Sequence, residues 1–309
     1  MTPADDTTTL IVPKAGCQRP VEVRLAPNML AGRYHIEGEL GKGGMAVVYR
    51  ATDLETNEVR AVKVGLLSSH DDAFPERMAA EATMLMFLRH PNVIAVHDMG
   101  TDPALGLHFA VMDYAPGGSL GERRDAEGHL PADEVAAVGV QLLCALSVLH
   151  GRGILHRDVK PTNLLLDAEG RVLLTDLGIS KLPDALAETT NDDLVMGSYS
   201  FMAPEQLTGM DQVSQTGDLY AVGTTLFNLA TGLSSAHLFA VREDAKRWQA
   251  LPEVLRAVIR HATQLEPDDR PASAWAMARE LALVAPAELF DRQPHLTAWL
   301  EEGDPERAK

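Results

Sequence analysis

The chain has 309 residues, 46% of them hydrophobic and 23% charged, which is enough apolar content for a buried core and excludes disorder throughout. Its formal net charge of -17 repels nucleic acid and anionic membrane, so neither is an expected partner. Two cysteines, Cys17 and Cys144, exclude a disulfide framework and suit a reducing compartment. The opening residues, with Asp5 and Asp6, do not form a secretory signal. No uninterrupted apolar stretch is read as long enough to span a bilayer, so a soluble, cytoplasmic protein is expected.

Residues 1–32 are polar and carry Pro3, Pro13, Pro20 and Pro27. They read as a flexible N-terminal extension with one short strand at Val21–Leu25. Tyr34–Leu40 and Val47–Asp53 read as strands flanking a glycine turn, and Val59–Gly65 as a third strand. Ala73–Arg89 reads as a helix, with Met78, Met84, Leu85 and Leu88 at helical spacings. Val93–Gly100 and Leu107–Met112 return to strand character. Pro116-Gly117-Gly118 then breaks the chain. Beyond it the periodicity is helical: Pro131–His150, Ser214–Gly232, Leu251–Gln264 and Ala272–Val284. After Pro286 the reading is open, because Leu289, Phe290 and Trp299 suit either a domain cap or a partner-binding tail.

Four segments carry chemistry. Leu40-Gly41-Lys42-Gly43-Gly44-Met45-Ala46-Val47-Val48 offers backbone amides that phosphate oxygens can approach without a side chain in the way. The plain alternative is a tight hairpin turn. A dinucleotide-binding loop would need a helix next, and a strand follows here, so that rival fails. In Ala61-Val62-Lys63-Val64 a lysine sits inside an apolar strand. Burying it is costly unless a carboxylate such as Glu81 pairs with it, and the alternative is a surface lysine lying along the strand.

The third segment, His156-Arg157-Asp158-Val159-Lys160-Pro161-Thr162-Asn163, puts a carboxylate, an ammonium and an amide on one short loop. Asp can accept the proton of an attacking hydroxyl, Lys can neutralise a transferring phosphoryl group, and Asn can ligate magnesium. An ordinary charged turn would not need this spacing. The fourth, Leu173-Leu174-Thr175-Asp176-Leu177-Gly178, supplies a hard-cation ligand after an apolar strand.

Together these ordered motifs resemble the eukaryotic-like (Hanks-type) Ser/Thr protein kinases, most closely their bacterial branch, over about residues 33–284. The resemblance implies an α+β, bilobal protein kinase fold, with an antiparallel sheet plus one helix in the N-lobe and a mostly helical C-lobe. It divides the chain into an extension (1–32), an N-lobe (33–113), a hinge (113–118), a C-lobe (119–284) and a tail (285–309). It implies ATP and Mg2+ (or Mn2+) as cofactors and protein Ser/Thr hydroxyls as substrates. Gly41 and Gly43 match the phosphate-covering loop, and Val48 the valine packed on adenine. Lys63 matches the lysine on the α- and β-phosphates, and Glu81 its helix partner. Met112 falls at the gatekeeper position, and Asp113 to Ala115 form the adenine-binding hinge. Asp158 matches the catalytic base, Lys160 the γ-phosphate lysine, and Asn163 and Asp176 the metal ligands. Ala203-Pro204-Glu205 closes the activation segment. Asp218 matches the aspartate that holds the catalytic loop, and Arg270 the arginine that pairs with Glu205.

Three departures stand out: Ala46 for the third glycine, Leu177 for a phenylalanine, and Ser198 for a threonine. None removes a chemical function, so the alternative of a nucleotide-binding pseudokinase scaffold is set aside. A small-molecule kinase would lack the segment from Gly197 to Glu205. Thr189 and Thr190 are candidate phosphosites that would pair with Arg157, although Asp192 and Asp193 already supply negative charge there. Thr7-Thr8-Thr9 is a candidate autophosphorylation site for recruiting a phosphothreonine-reading domain protein, with a plain flexible tail as the favoured alternative. Homodimerisation through the small lobe is common in the family.

Overall fold

The computed structural model describes residues 8–12, 21–25, 28–42, 46–65, 79, 82–177, 200–208, 214–234 and 246–304. The chain divides into two compact units: Met1–Arg89 with Ile94–Ala115, and His90–Val93 with Pro116–Lys309.

The first unit is built on an antiparallel sheet. Strands β1 (Thr8–Val12) and β2 (Val21–Leu25) pair with each other alone. Six more form one sheet in the order β3-β4-β5-β6-β8-β7: β3 (Met29–Leu30), β4 (Tyr34–Lys42), β5 (Ala46–Asp53), β6 (Glu58–Gly65), β7 (Val96–Thr101) and β8 (His108–Asp113). Strand side chains alternate between faces. One face buries Ile36, Val47, Tyr49, Ala51, Val62, Val64, Phe109 and Val111 in a single core, which Leu30 and Tyr34 close. Arg33 ties the end of this sheet by two bonds to the Asp53 carboxylate, at 2.8 and 2.7 Å. That pairing holds the carboxyl far below the usual carboxylate range.

Within residues 1–32, the expected short strand Val21–Leu25 is β2. Thr8 and Thr9 lie in β1, paired with Leu25 and Arg24, and Leu30 is fully buried in the main core. Of the expected helix Ala73–Arg89, residues 82–86 are helical, and residues 73–78, 80 and 81 lie outside the described residues. Strand β7 begins at Val96 rather than Val93, because Val93 makes a separate parallel bridge to Leu174.

The second unit is helical. It comprises α1 (Leu120–Glu127), α2 (Ala132–His150), α3 (Pro204–Thr208), α4 (Gln215–Thr231), α5 (Lys246–Gln249), α6 (Glu253–Ala262), α7 (Ala274–Leu281), α8 (Ala287–Arg292) and α9 (Pro294–Glu302). A small hairpin, β9 (Leu164–Leu166) with β10 (Val172–Leu174), completes it. Helix α1 was not expected. It starts because Ser119 and Glu122 form a reciprocal capping box that satisfies two helix-end donors.

Helix α2 corrects the statement that no stretch could span a bilayer, since by length and composition it would. However, 78% of its most apolar window is buried, against α4, α7 and β10. A helix apolar on all sides is what the centre of a helical domain requires. Gly139 on α2 lets α7 approach closely, because a Cβ there would lie 2.5 Å from Leu281 Cδ1 and oblige that side chain to shift. The tail after Pro286 is neither loose nor open in its described part: it forms α8 and α9 and buries Leu289 and Leu296.

Candidate active site

In the first unit the glycine segment is a hairpin. β4 and β5 pair up to Gly41↔Val48 and Lys42↔Val47, with bulges between Ile36 and Gly38 and between Glu39 and Gly41. Gly43, Gly44 and Met45 lie outside the described residues. A Cβ at Gly41 would meet no protein atom within 4 Å, so packing within the chain does not call for a glycine there. Lys63 on β6 stands opposite Val48 on β5 and Ala110 on β8. Sheet alternation puts Ala46, Val48, Ala61, Lys63, Ala110 and Met112 on the face away from the core of Val47, Val62 and Val111. Leu40 and Lys42 are exposed near the hairpin end. Asp113 ends β8, where its carboxylate accepts from His97 at 2.5 Å. Ala115 is the last residue of the first unit. Glu81, the expected partner of Lys63, lies outside the described residues.

Across the boundary, Gly117 and Gly118 run beside β9. Gly117 N–H donates to Leu166 O, and Leu166 N–H to Gly118 O, each at 2.9 Å. The contact is too close for a side chain, because a Cβ on Gly117 would lie 2.6 Å from Leu166 Cβ. Gly118 also has φ 68°, a left-handed conformation that favours glycine.

The loop following α2 carries the densest chemistry. Asn163 donates both amide hydrogens to Asp158, one to its backbone oxygen at 2.8 Å and one to Oδ2 at 3.1 Å. Lys160 Nζ pairs with the same Oδ2 at 3.0 Å. Thr175 N–H donates to Asn163 O at 3.0 Å, and His156 Nε2 donates to Thr175 O at 3.0 Å. Thus the Asp158 loop and the segment carrying Asp176 are stitched together on both sides of Thr175. Arg157 and Asp176 have φ of 64° and 60°. Non-glycine residues held in that region store strain, and such strain clusters at functional sites.

A buried carboxylate holds this loop in place. Asp218, in the first turn of α4, is 1% exposed. It accepts from His156 N at 2.8 Å and Arg157 N at 2.7 Å, and from His150 Nε2 at 2.8 Å. Burial alone would raise the Asp218 carboxyl, but the donors from His150 and His156 outweigh it and hold the carboxyl below the usual range. Burial likewise depresses the His156 imidazole against the pull of Asp218 and Asp158. The ring is therefore neutral. It donates from Nε2 and accepts Asp158 N–H on Nδ1 at 3.3 Å.

His150 was missed as a site residue. In sequence it is merely the last residue of a long apolar helix, and only the fold sets it against Asp218.

A second buried pair anchors residues 200–208. Arg270 donates to Glu205 at 2.6 and 2.8 Å, and its remaining N–H groups reach the carbonyls of Gln264, Leu265 and Thr216. All five guanidinium donors are used. Thr189, Thr190 and the rest of residues 178–199 lie outside the described residues.

Among the described residues, no group of three or more His, Cys, Asp or Glu stands ready to hold a metal by itself. Asn163 and Asp176, the two expected metal ligands, both carry oxygen donors. Because Asn163 turns its NH2 group to Asp158, its carboxamide oxygen points the other way. Two hard oxygen donors fit Mg2+ or Mn2+, which takes few protein ligands and completes its shell with phosphate oxygens and water.

Residues 34–281 match the family described as "Protein kinase domain". The Bacillus subtilis serine/threonine-protein kinase PrkC is 32% identical over 279 residues, covering 85% of this chain and 42% of that protein. Myxococcus xanthus serine/threonine-protein kinase pkn3 is 36% identical, covering 82% of this chain and 50% of that protein. The chain thus spans half or less of the length of these curated relatives. Among solved structures, the Mycobacterium tuberculosis PknI kinase domain aligns with a TM-score of 0.63 at 28% identity, covering 83% of this chain and 98% of that one. The family as a whole uses ATP and a divalent metal. The chain therefore belongs to the protein kinase domain family, in its bacterial, Hanks-type serine/threonine branch.

Proposed function

We propose that this chain is a serine/threonine protein kinase that moves the γ-phosphate of ATP to protein hydroxyls. The observation that carries the reading is one network: Asp218 fixes the Asp158 loop, Asp158 holds Asn163 and Lys160, and Thr175 ties Asp176 to them.

In this reading Asp158 orients the substrate hydroxyl and accepts its proton. Lys160 and Lys63 stabilise charge on the phosphoryl oxygens. Asn163 and Asp176 hold the metal, which when bound neutralises phosphate charge and orients the nucleotide. The hairpin of Leu40 to Val48 covers the phosphates, and the backbone from Asp113 to Ala115 meets the adenine edge. Positioning and electrostatics make up nearly all of the catalytic contribution. Lys160, two residues after Asp158, and the presence of the segment from Gly197 to Glu205 favour protein Ser/Thr substrates over tyrosine or small alcohols. Thr189 and Thr190 are the proposed activating phosphosites, with Arg157 as their cationic partner. Recruitment of a phosphothreonine reader through Thr7 to Thr9 would require β1 to leave β2.

The test is phosphotransfer from labelled ATP with Mg2+ to a basic protein, followed by phosphoamino-acid analysis. Phosphoserine or phosphothreonine is expected from the wild type, and neither from Lys63→Met or Asp158→Asn. Full activity in either variant, or transfer to small alcohols alone, would overturn the assignment.

A further inference from the structure

Strand β10 is only three residues long and leads directly to Asp176. One edge pairs with β9. The other edge meets only the single bridge from Val93, yet its Val172 N–H, Val172 O and Leu174 N–H all have partners. Val172 N–H donates to Gln141 Oε1 at 2.9 Å, Val172 O accepts from Asn92 Nδ2 at 3.0 Å, and Leu174 N–H donates to Asn92 O at 2.9 Å. At Val172 two buried amide side chains, with Asn92 0% and Gln141 3% exposed, thus stand in for a neighbouring strand, while Leu174 bonds the Asn92 main chain. Such a surrogate works only if each amide faces the right way, because an amide flip would swap donor for acceptor.

The residues that set those directions come from the far end of the chain, beyond the family match at residue 281. His295, on α9, donates from Nε2 to Asn92 Oδ1 at 2.8 Å. That obliges the Asn92 NH2 group to face Val172 O. Gln293, the buried residue joining α8 to α9, donates to Gln141 Oε1 at 2.8 Å. That oxygen must then be the one facing Val172 N–H. Asn92 N–H meanwhile reaches His90 Nδ1 at 3.1 Å, and the His90 and His295 rings pack edge-on at 6.0 Å. Ser273 on α7 donates to Asp304 at 2.7 Å and closes the tail beyond α9.

We propose that α8 and α9 form a clasp, in which Gln293 and His295 are positioning residues that lock the Asn92 and Gln141 amides and through them fix β10 and the metal-binding Asp176. The metal role of Asp176 rests on the kinase reading above; the clasp on β10 does not.

Two measurements on the 309-residue chain separate the possibilities. The first is amide hydrogen exchange at residues 172–176 in the metal-free protein, for wild type, His295→Ala, Gln293→Ala and His295→Gln, well below the melting temperature. His295→Ala and Gln293→Ala should each speed exchange there by about tenfold, the equivalent of one net hydrogen bond. His295→Gln, which keeps a donor, should restore protection. The second is phosphotransfer against Mg2+ concentration at saturating peptide. His295→Ala should raise the half-saturating Mg2+ concentration and lower kcat, leaving the peptide KM unchanged, and His295→Gln should reverse both.

A lower melting temperature with exchange at 172–176 and Mg2+ dependence both unchanged would overturn the proposal, leaving the tail a mere stabiliser. Faster exchange with unchanged Mg2+ dependence would overturn its link to Asp176. If the wild type transfers no phosphate at all, the kinase reading falls, and the exchange measurement still decides the clasp.

Discussion

Replacing Arg270 by methionine would leave the Glu205 carboxylate buried without its counter-charge. The Arg270 side chain is 0% exposed and that of Glu205 9%, so water cannot take over. The carbonyls of Gln264, Leu265 and Thr216 lose their donors in the same step. Breaking one side of a buried pair costs about 3–5 kcal/mol. At about 2–4 °C per kcal/mol for a domain of this size, the melting temperature should fall by roughly 10 °C. Arg270→Lys keeps the charge, but three ammonium hydrogens cannot serve five bonds, so it should recover only part of the loss. The double variant Glu205→Leu with Arg270→Met removes both charges and should be more stable than Arg270→Met alone. The assay is denaturant unfolding followed by tryptophan fluorescence. All three tryptophans, Trp248, Trp275 and Trp299, belong to the second unit and report on it directly. A loss below about 1 kcal/mol for Arg270→Met, or costs that simply add in the double variant, would refute the argument.

Asp218→Asn leaves one acceptor oxygen where three donors converge, and turns an NH2 group toward another donor. It should lose about 3 kcal/mol of stability and nearly all phosphotransfer, and wild-type values in either assay would count against the anchoring role. Gly232 caps α4 at φ 70°, and a Cβ there would lie 1.9 Å from Gly128 O. Gly303 has φ 94° and open space around it. Gly232→Ala should therefore cost more than the roughly 1–3 kcal/mol that backbone strain alone predicts for Gly303→Ala, and equal losses in thermal unfolding would contradict this.

Burial lowers His90 to about 4, with smaller contributions from His295 and Arg152, and burial also depresses His156 and His295. Below the ordinary histidine value near 6.5 the unfolded chain takes up protons that the folded chain refuses, so stability is full above that pH and falls as pH drops from about 6.5 toward 4. Unfolding free energies that stay level between pH 7 and pH 5 would rule this out.

Motifs with a fixed local spacing were legible in the sequence. Asp158, Lys160 and Asn163 are five residues apart from end to end, so one short loop brings them together in any context that orders it. The Gly41 hairpin followed from a strand, rather than a helix, on its far side. Alternation along Val59–Gly65 was enough to put Lys63 on one face and Val62 and Val64 on the other. What sequence alone did not reveal depends on residues remote in the chain. His150 looks like an ordinary helix end until α4 brings Asp218 to it, 68 residues later. Asn92 and His295 are separated by 203 residues, and neither carries a local pattern that points to the other. The tail could not be told apart from a partner-binding segment because Leu289 and Leu296 suit either fate until a surface is there to bury them. Local steric and hydrogen-bonding rules therefore sufficed for the chemistry-bearing loops, whereas the anchors that orient those loops are buried polar contacts, whose partners are chosen only when the helices pack.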